Sequence, residues 1–535
     1  MKFLQNITPR DYQNNIVDSC KDKNSLVVLP TGVGKTLIAL MLTIFRLEQI
    51  PSGKVLFLAP TKPLVEQHLN YYKKHLPELF ADMQMFTGSV KPEERKKIWQ
   101  SADIIFSTPQ CISNDLKNRL YDLKEVILLI EDEAHRCLKN YAYREVAQNY
   151  INSAKSPRIL GLTASPGSDS DKIKEICKNL SVEALEVRTR KSEDVKEFLQ
   201  ELKFDKITLD FPEEFEQIRI PLRKIYNEYV EELRGRRVLF GNTSKIALIE
   251  LQRKLMASLA RGNKNFSLFH SVSACSQAIK IQHALELLET QTLLGFHNYM
   301  KKLYGEASQA KSKGVQKLVK NPEFNISFIR SQELLTKNIE HPKLEKLKEI
   351  VKEEIDNNES VKIIIFTQFR ETALHIIERL NELEKVNAKV FVGQTKKSHN
   401  SYSLKSKDKE QITGLNQKAQ QQMIKEFSLG KINVLCATSI GEEGLDIPEV
   451  NAVIFYEPVP SAIRKIQRAG RTARLIPGKL ITLVTKNTRD EAYYWAAFSR
   501  EKKMYSAIAS IQEEMENGKF NSLTENNKQK SLEEF

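Results

Sequence analysis

The sequence predicts an α/β protein in which two parallel-sheet units flank a helical block. Three observations predict it. Short β-branched runs alternate with amphipathic stretches over the first 170 residues or so. Helical periodicity replaces that alternation from about Ser192 to Lys337, and the alternation returns at Val361.

In the first unit the candidate strands are Ser25–Pro30, Lys54–Ala59, Asp103–Ser107, Val126–Ile130 and Arg158–Leu162. Each is apolar on both faces and bounded by Pro, Gly or polar residues, as in a buried parallel sheet with crossover helices. In the middle, Ile246, Ile249, Leu251, Leu255 and Leu259 recur near helical spacing, and Ala284 to Leu303 continues likewise. The second unit offers Val361–Thr367, Lys389–Val392, Asn433–Ala437, Ala452–Tyr456 and Leu480–Val484. A polar stretch from Thr395 to Gln422 reads as a loop running into a helix. The expected division is 1–190, 191–338 and 339–510, followed by a polar tail over 511–535 that is frayed from about Asn517.

The 535 residues suggest three or four domains at about 150 residues each. With 41% hydrophobic and 28% charged residues, the chain has the profile of a soluble globular protein. No apolar run approaches the roughly 18 residues of a membrane span, and Met1 to Gln13 lacks a signal-peptide core. An intracellular, cytoplasmic protein with no membrane partner is expected. Cys20, Cys111, Cys137, Cys177, Cys275 and Cys436 lie far apart with no C-x-x-C pair, so neither a zinc ribbon nor a disulfide frame is expected. The net charge of +14 leaves nucleic acid and a merely basic surface both open. Between Phe211 and Leu335, 19 Lys and Arg face 12 Asp and Glu, a net of +7. Half of the excess charge therefore sits in the helical block, on a nucleic-acid surface or on solvated helix faces.

Leu29-Pro30-Thr31-Gly32-Val33-Gly34-Lys35-Thr36 follows a predicted strand and opens a predicted helix. It matches a phosphate-binding loop, with Leu29 in place of the usual first Gly. Gly32 and Gly34 let backbone N–H groups close around phosphate oxygens, and the helix N-terminus favours negative charge. Lys35 is placed for the β- and γ-phosphates, Thr36 for Mg²⁺. Glu131-Asp132-Glu133-Ala134-His135 ends the strand Val126–Ile130, where carboxylates face the ligand crevice of an open α/β sheet. Asp132 suits Mg²⁺ and Glu133 suits an attacking water.

This pairing resembles the superfamily-two helicases, whose motif II is Asp-Glu-Ala-His. The resemblance extends in order along the chain and implies two RecA-like motor domains, the first binding ATP, with an inserted helical domain. Pro9-Arg10-Asp11-Tyr12-Gln13 looks like the Q-motif, with Arg10 and Gln13 at the nucleotide together with Thr31, Gly32, Val33 and Gly34. Ala59-Pro60-Thr61-Lys62 and Ser107-Thr108-Pro109 look like motifs Ia and Ib, so Thr61, Lys62 and Thr108 would grip a nucleic-acid backbone. Thr163-Ala164-Ser165 looks like motif III, and with His135 it would couple the ATP site to the strand. Phe366-Thr367-Gln368-Phe369-Arg370 looks like motif IV; Thr367 and Thr438 would meet nucleic acid. Ile440 to Pro448 resembles motif V, with Gly444 and Asp446 at the nucleotide. Gln467-Arg468-Ala469-Gly470-Arg471-Thr472-Ala473-Arg474 resembles motif VI, implying catalytic roles for Gln467 and for Arg471 and Arg474 as arginine fingers. Ala473 replaces the usual Gly.

The segments around these motifs resemble the archaeal Hef helicases, relatives of the FANCM branched-DNA translocases, from about Thr8 to Met504. They include Asp132 to Tyr150, Val187-Arg188-Thr189, Glu457-Pro458-Val459-Pro460-Ser461 and Tyr493-Tyr494-Trp495. The resemblance implies an ATP- and Mg²⁺-dependent DNA helicase or translocase for forks and Holliday-type junctions, acting in the repair of stalled replication forks. The helical insert would contact the DNA. A separate nuclease or a sliding clamp is a conceivable partner. Double-stranded RNA helicases of the Dicer and RIG-I-like kind are the alternative, and a basic binding module with an inactive motor is the third reading. No nuclease activity is expected from the residues to Phe535. Glu94-Arg95-Lys96 resembles a fragment of the nuclease signature, but Gln100 stands where Asp is needed; the segment is expected to be a solvated helix face.

Overall fold

The computed structural model describes residues 3–262, 265–309, 312–393, 417–438, 447–470, 472 and 477–520. The expected loop over 395–416, Gly444, Asp446, Arg471, Arg474 and the end of the tail lie outside the described residues.

The first α/β unit runs α1 (Asp11–Cys20), β1 (Ser25–Val28), α2 (Lys35–Gln49), β2 (Lys54–Leu58), α3 (Lys62–His75), β3 (Met83–Phe86), α4 (Pro92–Ser101), β4 (Ile104–Ser107), α5 (Pro109–Lys117), β5 (Val126–Asp132), α6 (Ala142–Ser153), β6 (Ile159–Thr163), α7 (Ser170–Asn179), β7 (Ala184–Val187) and the one-turn α8 (Glu193–Lys196). Its sheet has the order β3-β4-β2-β5-β6-β1-β7, with every pairing parallel. Strands β1, β2, β4 and β5 are buried at every residue because helices cover both faces. On one face α1, α2 and α3 pack on Val27, Phe57 and Ile130. On the other, α5, α6 and α7 pack on Leu26, Leu56 and Leu129.

Next comes β8 (Leu202–Leu209), and then the helical block: α9 (Glu213–Gly235), α10 (Lys245–Ala260), α11 (Phe266–Thr290), α12 (Leu293–Ser308), α13 (Lys313–Val319) and α14 (Pro322–Thr336). These helices enclose their own core, including Phe215, Leu222, Ile281, Phe296 and Phe324.

The second α/β unit runs α15 (Pro342–Asn357), β9 (Ile363–Phe366), α16 (Arg370–Leu380), β10 (Ala388–Phe391), α17 (Gln417–Ser428), β11 (Val434–Ala437), β12 (Ala452–Phe455), α18 (Ala462–Ala469), β13 (Gly478–Thr485) and α19 (Arg489–Glu516). Its parallel sheet has the order β10-β11-β9-β12-β13-β8. Two parallel-sheet α/β lobes with a helical bundle between them thus match the expected fold class.

Three features depart from the sequence reading. The helical stretch expected from Ser192 starts only at Glu213, because β8 joins the second sheet beside β13 as an edge strand. Its alternate residues Phe204, Lys206 and Thr208 are exposed, so it lacks the two-sided apolar signal of the inner strands. The expected tail over 511–535 begins later, since α19 continues to Glu516 and buries Met504, Ile508 and Ile511 in the core of the first lobe. Lys174 also meets Glu514 at 2.8 Å, so the last helix of the second unit ties the two lobes together.

The third departure is Arg95, which is buried rather than solvated. Its guanidinium holds Asp115 of α5 in a two-point contact, with Nε donating to Oδ2 at 2.7 Å. Tyr121 Oη donates to the same carboxylate at 2.7 Å, and its ring stacks on Trp99 at 4.0 Å. Removing one partner of a buried pair leaves the other charge uncompensated. Asp115→Ala is therefore expected to cost about 3–5 kcal/mol of stability, read from urea denaturation through Trp99 fluorescence. The double variant Arg95→Met/Asp115→Leu should recover most of it. A cost below about 1 kcal/mol for the single variant would contradict the structural role.

Candidate active site

Three neighbouring strands, in the order β5-β6-β1, bring the sequence motifs to one edge of the first sheet. The phosphate loop follows β1, Thr163 ends β6, and Asp132 ends β5. Leu29 N donates to Thr163 O at 3.0 Å and fixes the start of the loop.

Gly32 and Gly34 have φ of 87° and 84°, the left-handed region that favours glycine. Lys35 then opens α2, and its ammonium donates to Leu29 O at 3.1 Å and Pro30 O at 3.3 Å. Tyr12 Oη and Gln13 Nε2 both donate to Val33 O, at 2.6 and 3.2 Å. Gln13 Oε1 accepts from Arg10 N at 2.9 Å, and the Arg10 guanidinium lies 4.3 Å from the centroid of the Phe198 ring. The Q-motif segment therefore braces the phosphate loop directly. Thr36 sits partly buried in the first turn of α2.

The Asp132 carboxylate lies beside the loop. Burial pushes its pKa up, but the hydrogen bond and charge of His68, the Lys35 ammonium and the Glu133 backbone N–H together hold it below the ordinary value. His68 Nε2 lies 2.9 Å from Asp132 Oδ2, and Tyr143 Oη donates to Asp132 O at 2.6 Å. The preceding Glu131 faces the other side of the strand, and burial pushes its carboxyl up to about 8. Two adjacent acids are thus shifted in opposite directions, Glu131 up and Asp132 down. An ionised Asp132 near Lys35 and the start of α2 fits a divalent cation held jointly with Thr36.

Glu133 adopts a left-handed backbone, φ 53°, which is costly for a residue with a Cβ. The turn directs its carboxylate toward His135, whose Nδ1 lies 3.3 Å from Glu133 Oε2 and 3.2 Å from Thr163 Oγ1. Thr163 Oγ1 bonds the Ser165 backbone, and Ser165 Oγ donates to Met504 Sδ at 2.9 Å. Contacts therefore run from Glu133 through His135, Thr163 and Ser165 into α19.

The second lobe meets the first at the phosphate loop. A Cβ placed on Gly470, which caps α18, would fall 1.8 Å from Thr31 Oγ1 and 2.6 Å from Thr31 Cβ. Only a hydrogen fits there. Gln467 and Arg468 on α18 are buried. Arg468 turns inward, its guanidinium 4.9 Å from the centroid of the Phe366 ring and 5.8 Å from that of Phe455.

The expected nucleic-acid residues divide. Thr61 and Thr108 cap α3 and α5 and are partly buried, and Lys62 opens α3 beside Thr61. Thr367 does not meet the expectation: it is fully buried, with its hydroxyl 3.2 Å from Glu457 Oε2 and 3.4 Å from Gln291 Oε1, so it serves the interior of the lobe. Thr438, at 7% exposure, is likewise mostly buried at the end of β11. Sequence reasoning missed His68, Tyr143, Glu457 and Met504. None carries a local pattern; each becomes legible only through the strand order.

Comparison with known proteins agrees with this architecture. Residues 6–168 match the family model "Type III restriction enzyme, res subunit", 342–476 match "Helicase conserved C-terminal domain", and 214–334 match "Putative ATP-dependent RNA helicase, helical bundle". The crystal structure of the Pyrococcus furiosus Hef helicase domain superposes with a TM-score of 0.69 at 41% identity, covering 91% of this chain and 98% of that one. Among curated relatives, "Putative ATP-dependent RNA helicase MJ1505" of Methanocaldococcus jannaschii is 38% identical over 94% of this chain and 61% of its own length. The ATP-dependent DNA helicase mph1 of Aspergillus oryzae is 34% identical over 94% of this chain and 45% of its own. The chain thus spans about half to three fifths of the length of these curated relatives. With its two α/β lobes, its helical bundle and this likeness across nearly the whole of a solved relative, the chain belongs to the Hef-type family of superfamily-two helicases.

Proposed function

We propose that the chain is an ATP-dependent DNA helicase or translocase that acts on branched DNA, forks or Holliday-type junctions, in the repair of stalled replication forks. The observation that carries the reading is the seating of Gly470, in motif VI, directly on Thr31 of the phosphate loop. It supports a nucleotide bound at the seam, with its reactive end toward the second lobe.

In this reading the loop amides and Lys35 hold the phosphates, while Arg10 and Gln13 lie on the nucleoside side. Thr36 and Asp132 would hold Mg²⁺, which would neutralise phosphate charge. Glu133 orients water for attack and accepts its proton. Arg471 and Arg474 follow Gly470 in sequence and serve as arginine fingers. Binding the nucleotide across both lobes favours the closed state, and loss of the γ-phosphate releases it. The helical block, with its net +7 between Phe211 and Leu335, and the motif Ia and Ib threonines grip the backbone without sequence preference. No described helix is long and apolar enough to cross a membrane. A nuclease or clamp partner and an intracellular site belong to the proposal by way of the family.

The names of the helical-bundle family and of the Methanocaldococcus relative give RNA as the second reading. ATPase stimulation by single-stranded, duplex, forked and four-way DNA and by duplex RNA separates the two. Branched DNA should stimulate most; stimulation by duplex RNA alone would overturn the DNA assignment. Lys35→Ala is expected to abolish ATP hydrolysis, and wild-type turnover in that variant would refute the phosphate site. Gly470→Ala should separate the seam by about 1 Å and lower kcat by roughly 10²-fold, with Lys35 untouched. A normal kcat would show that the seam does not act in hydrolysis. Neutralising Lys311, Lys313, Lys317 and Lys320 should weaken forked-DNA binding and flatten its salt dependence. Unchanged affinity and slope would remove this part of the helical block from the interface.

A further inference from the structure

The corner between α11 and α12 enters the second lobe as a buried polar wedge. Glu289, Thr290, Gln291 and Thr292 are each at most 2% exposed. Lys343 at the start of α15 clamps the corner: its ammonium donates to Thr290 O at 2.8 Å and Tyr456 O at 3.2 Å and pairs with Asp490 at 2.5 Å. Arg489 Nη1 donates to Glu289 Oε2 at 2.8 Å, so the start of α19 closes the other side. The wedge therefore joins the helical block to two elements of the second lobe at once.

From the wedge, Gln291 Oε1 accepts from Thr372 Oγ1 at 2.9 Å and lies 3.4 Å from Thr367 Oγ1. Thr367 Oγ1 also lies 3.2 Å from Glu457 Oε2. Strands β9 and β12 are paired neighbours, which is why Thr367 and Glu457, just past their ends, face one another. A hydroxyl brings one proton, so Thr367 donates to Gln291 or to Glu457, not to both. The junction thus has two arrangements. Glu457 is buried, and burial pushes its carboxyl up to about 7 against the opposing charges of Lys343 and Arg468. Arg468 lies on α18, which is capped by Gly470, the residue seated on Thr31.

We propose that Gln291, Thr367 and Glu457 are positioning residues that transmit the placement of the helical block to motif VI, and so set how well the second lobe completes the ATP site. The path runs from the wedge through the Thr367 hydroxyl to the Glu457 carboxyl, then through the Arg468 charge to the end of α18. In a low-dielectric interior a network of this kind holds a defined geometry, and a change at one end is felt at the other. The inference rests on the proposed ATP-hydrolysing reading.

The test uses the full chain with forked DNA. Thr367→Val removes the hydroxyl at nearly constant volume. The nucleic-acid-stimulated kcat should fall at least fivefold, with KM for ATP and affinity for forked DNA within twofold of wild type. Thr367→Ser, which restores the hydroxyl, should restore kcat. Gln291→Met, which breaks the link from the other side, should reproduce the loss and serves if Thr367→Val does not fold. A stimulated kcat near wild type in Thr367→Val, or in Gln291→Met where it alone folds, would overturn the proposal. So would a Thr367→Ser variant as slow as Thr367→Val. A wild-type chain without ATPase activity would instead overturn the underlying reading, which keeps the two failures apart.

Discussion

The structure turns on a steric constraint: at Gly470 the backbone of the second lobe lies so close to Thr31 that no side chain larger than hydrogen fits between them. Two sheets of similar construction can be joined in many ways. Here the crossing point falls at the phosphate loop of one and the end of the motif VI helix of the other. Other features serve that closeness. Tyr12 and Gln13 brace Val33 so that the loop keeps its shape, and α19 packs Met504, Ile508 and Ile511 into the first lobe so that the second is held near it.

Around this contact the polar groups form two sets. In the first lobe, His68 and Lys35 hold the Asp132 carboxylate ionised, while His135, Thr163 and Ser165 carry contacts toward Met504. In the second, Lys343, Asp490, Thr367 and Glu457 join the helical block to the strand ends beneath α18. Burying ions such as Lys343 and Asp490 adds little net stability, because desolvation offsets the attraction. Their effect is on geometry, and both sets lie between an element of one domain and an element of another.

Much of this was legible in the sequence, for a local reason. A phosphate loop is a strand, a Gly-containing turn and a helix start within a dozen residues, and inner strands such as Val126–Asp132 are apolar on both faces. Three of the four edge strands, β3, β7 and β8, were not legible. Gln84 interrupts β3, β7 is only partly buried, and β8 exposes alternate residues such as Lys206, so none shows a continuous apolar run. Arg95 looked solvated because three charges in a row usually are; its partner Asp115 is on another helix. Thr367 looked like a strand-end nucleic-acid contact, yet its partners Gln291 and Glu457 lie 76 and 90 residues away and come together only in the folded sheet.

The most direct test of the central claim is a crystal structure of the chain with ADP–aluminium fluoride and forked DNA. The account predicts a nucleotide gripped by Lys35 from one side, with at least one guanidinium from the segment after Gln467 within hydrogen-bond distance of the fluoride from the other. A nucleotide touched by the first lobe alone in that closed complex would contradict it.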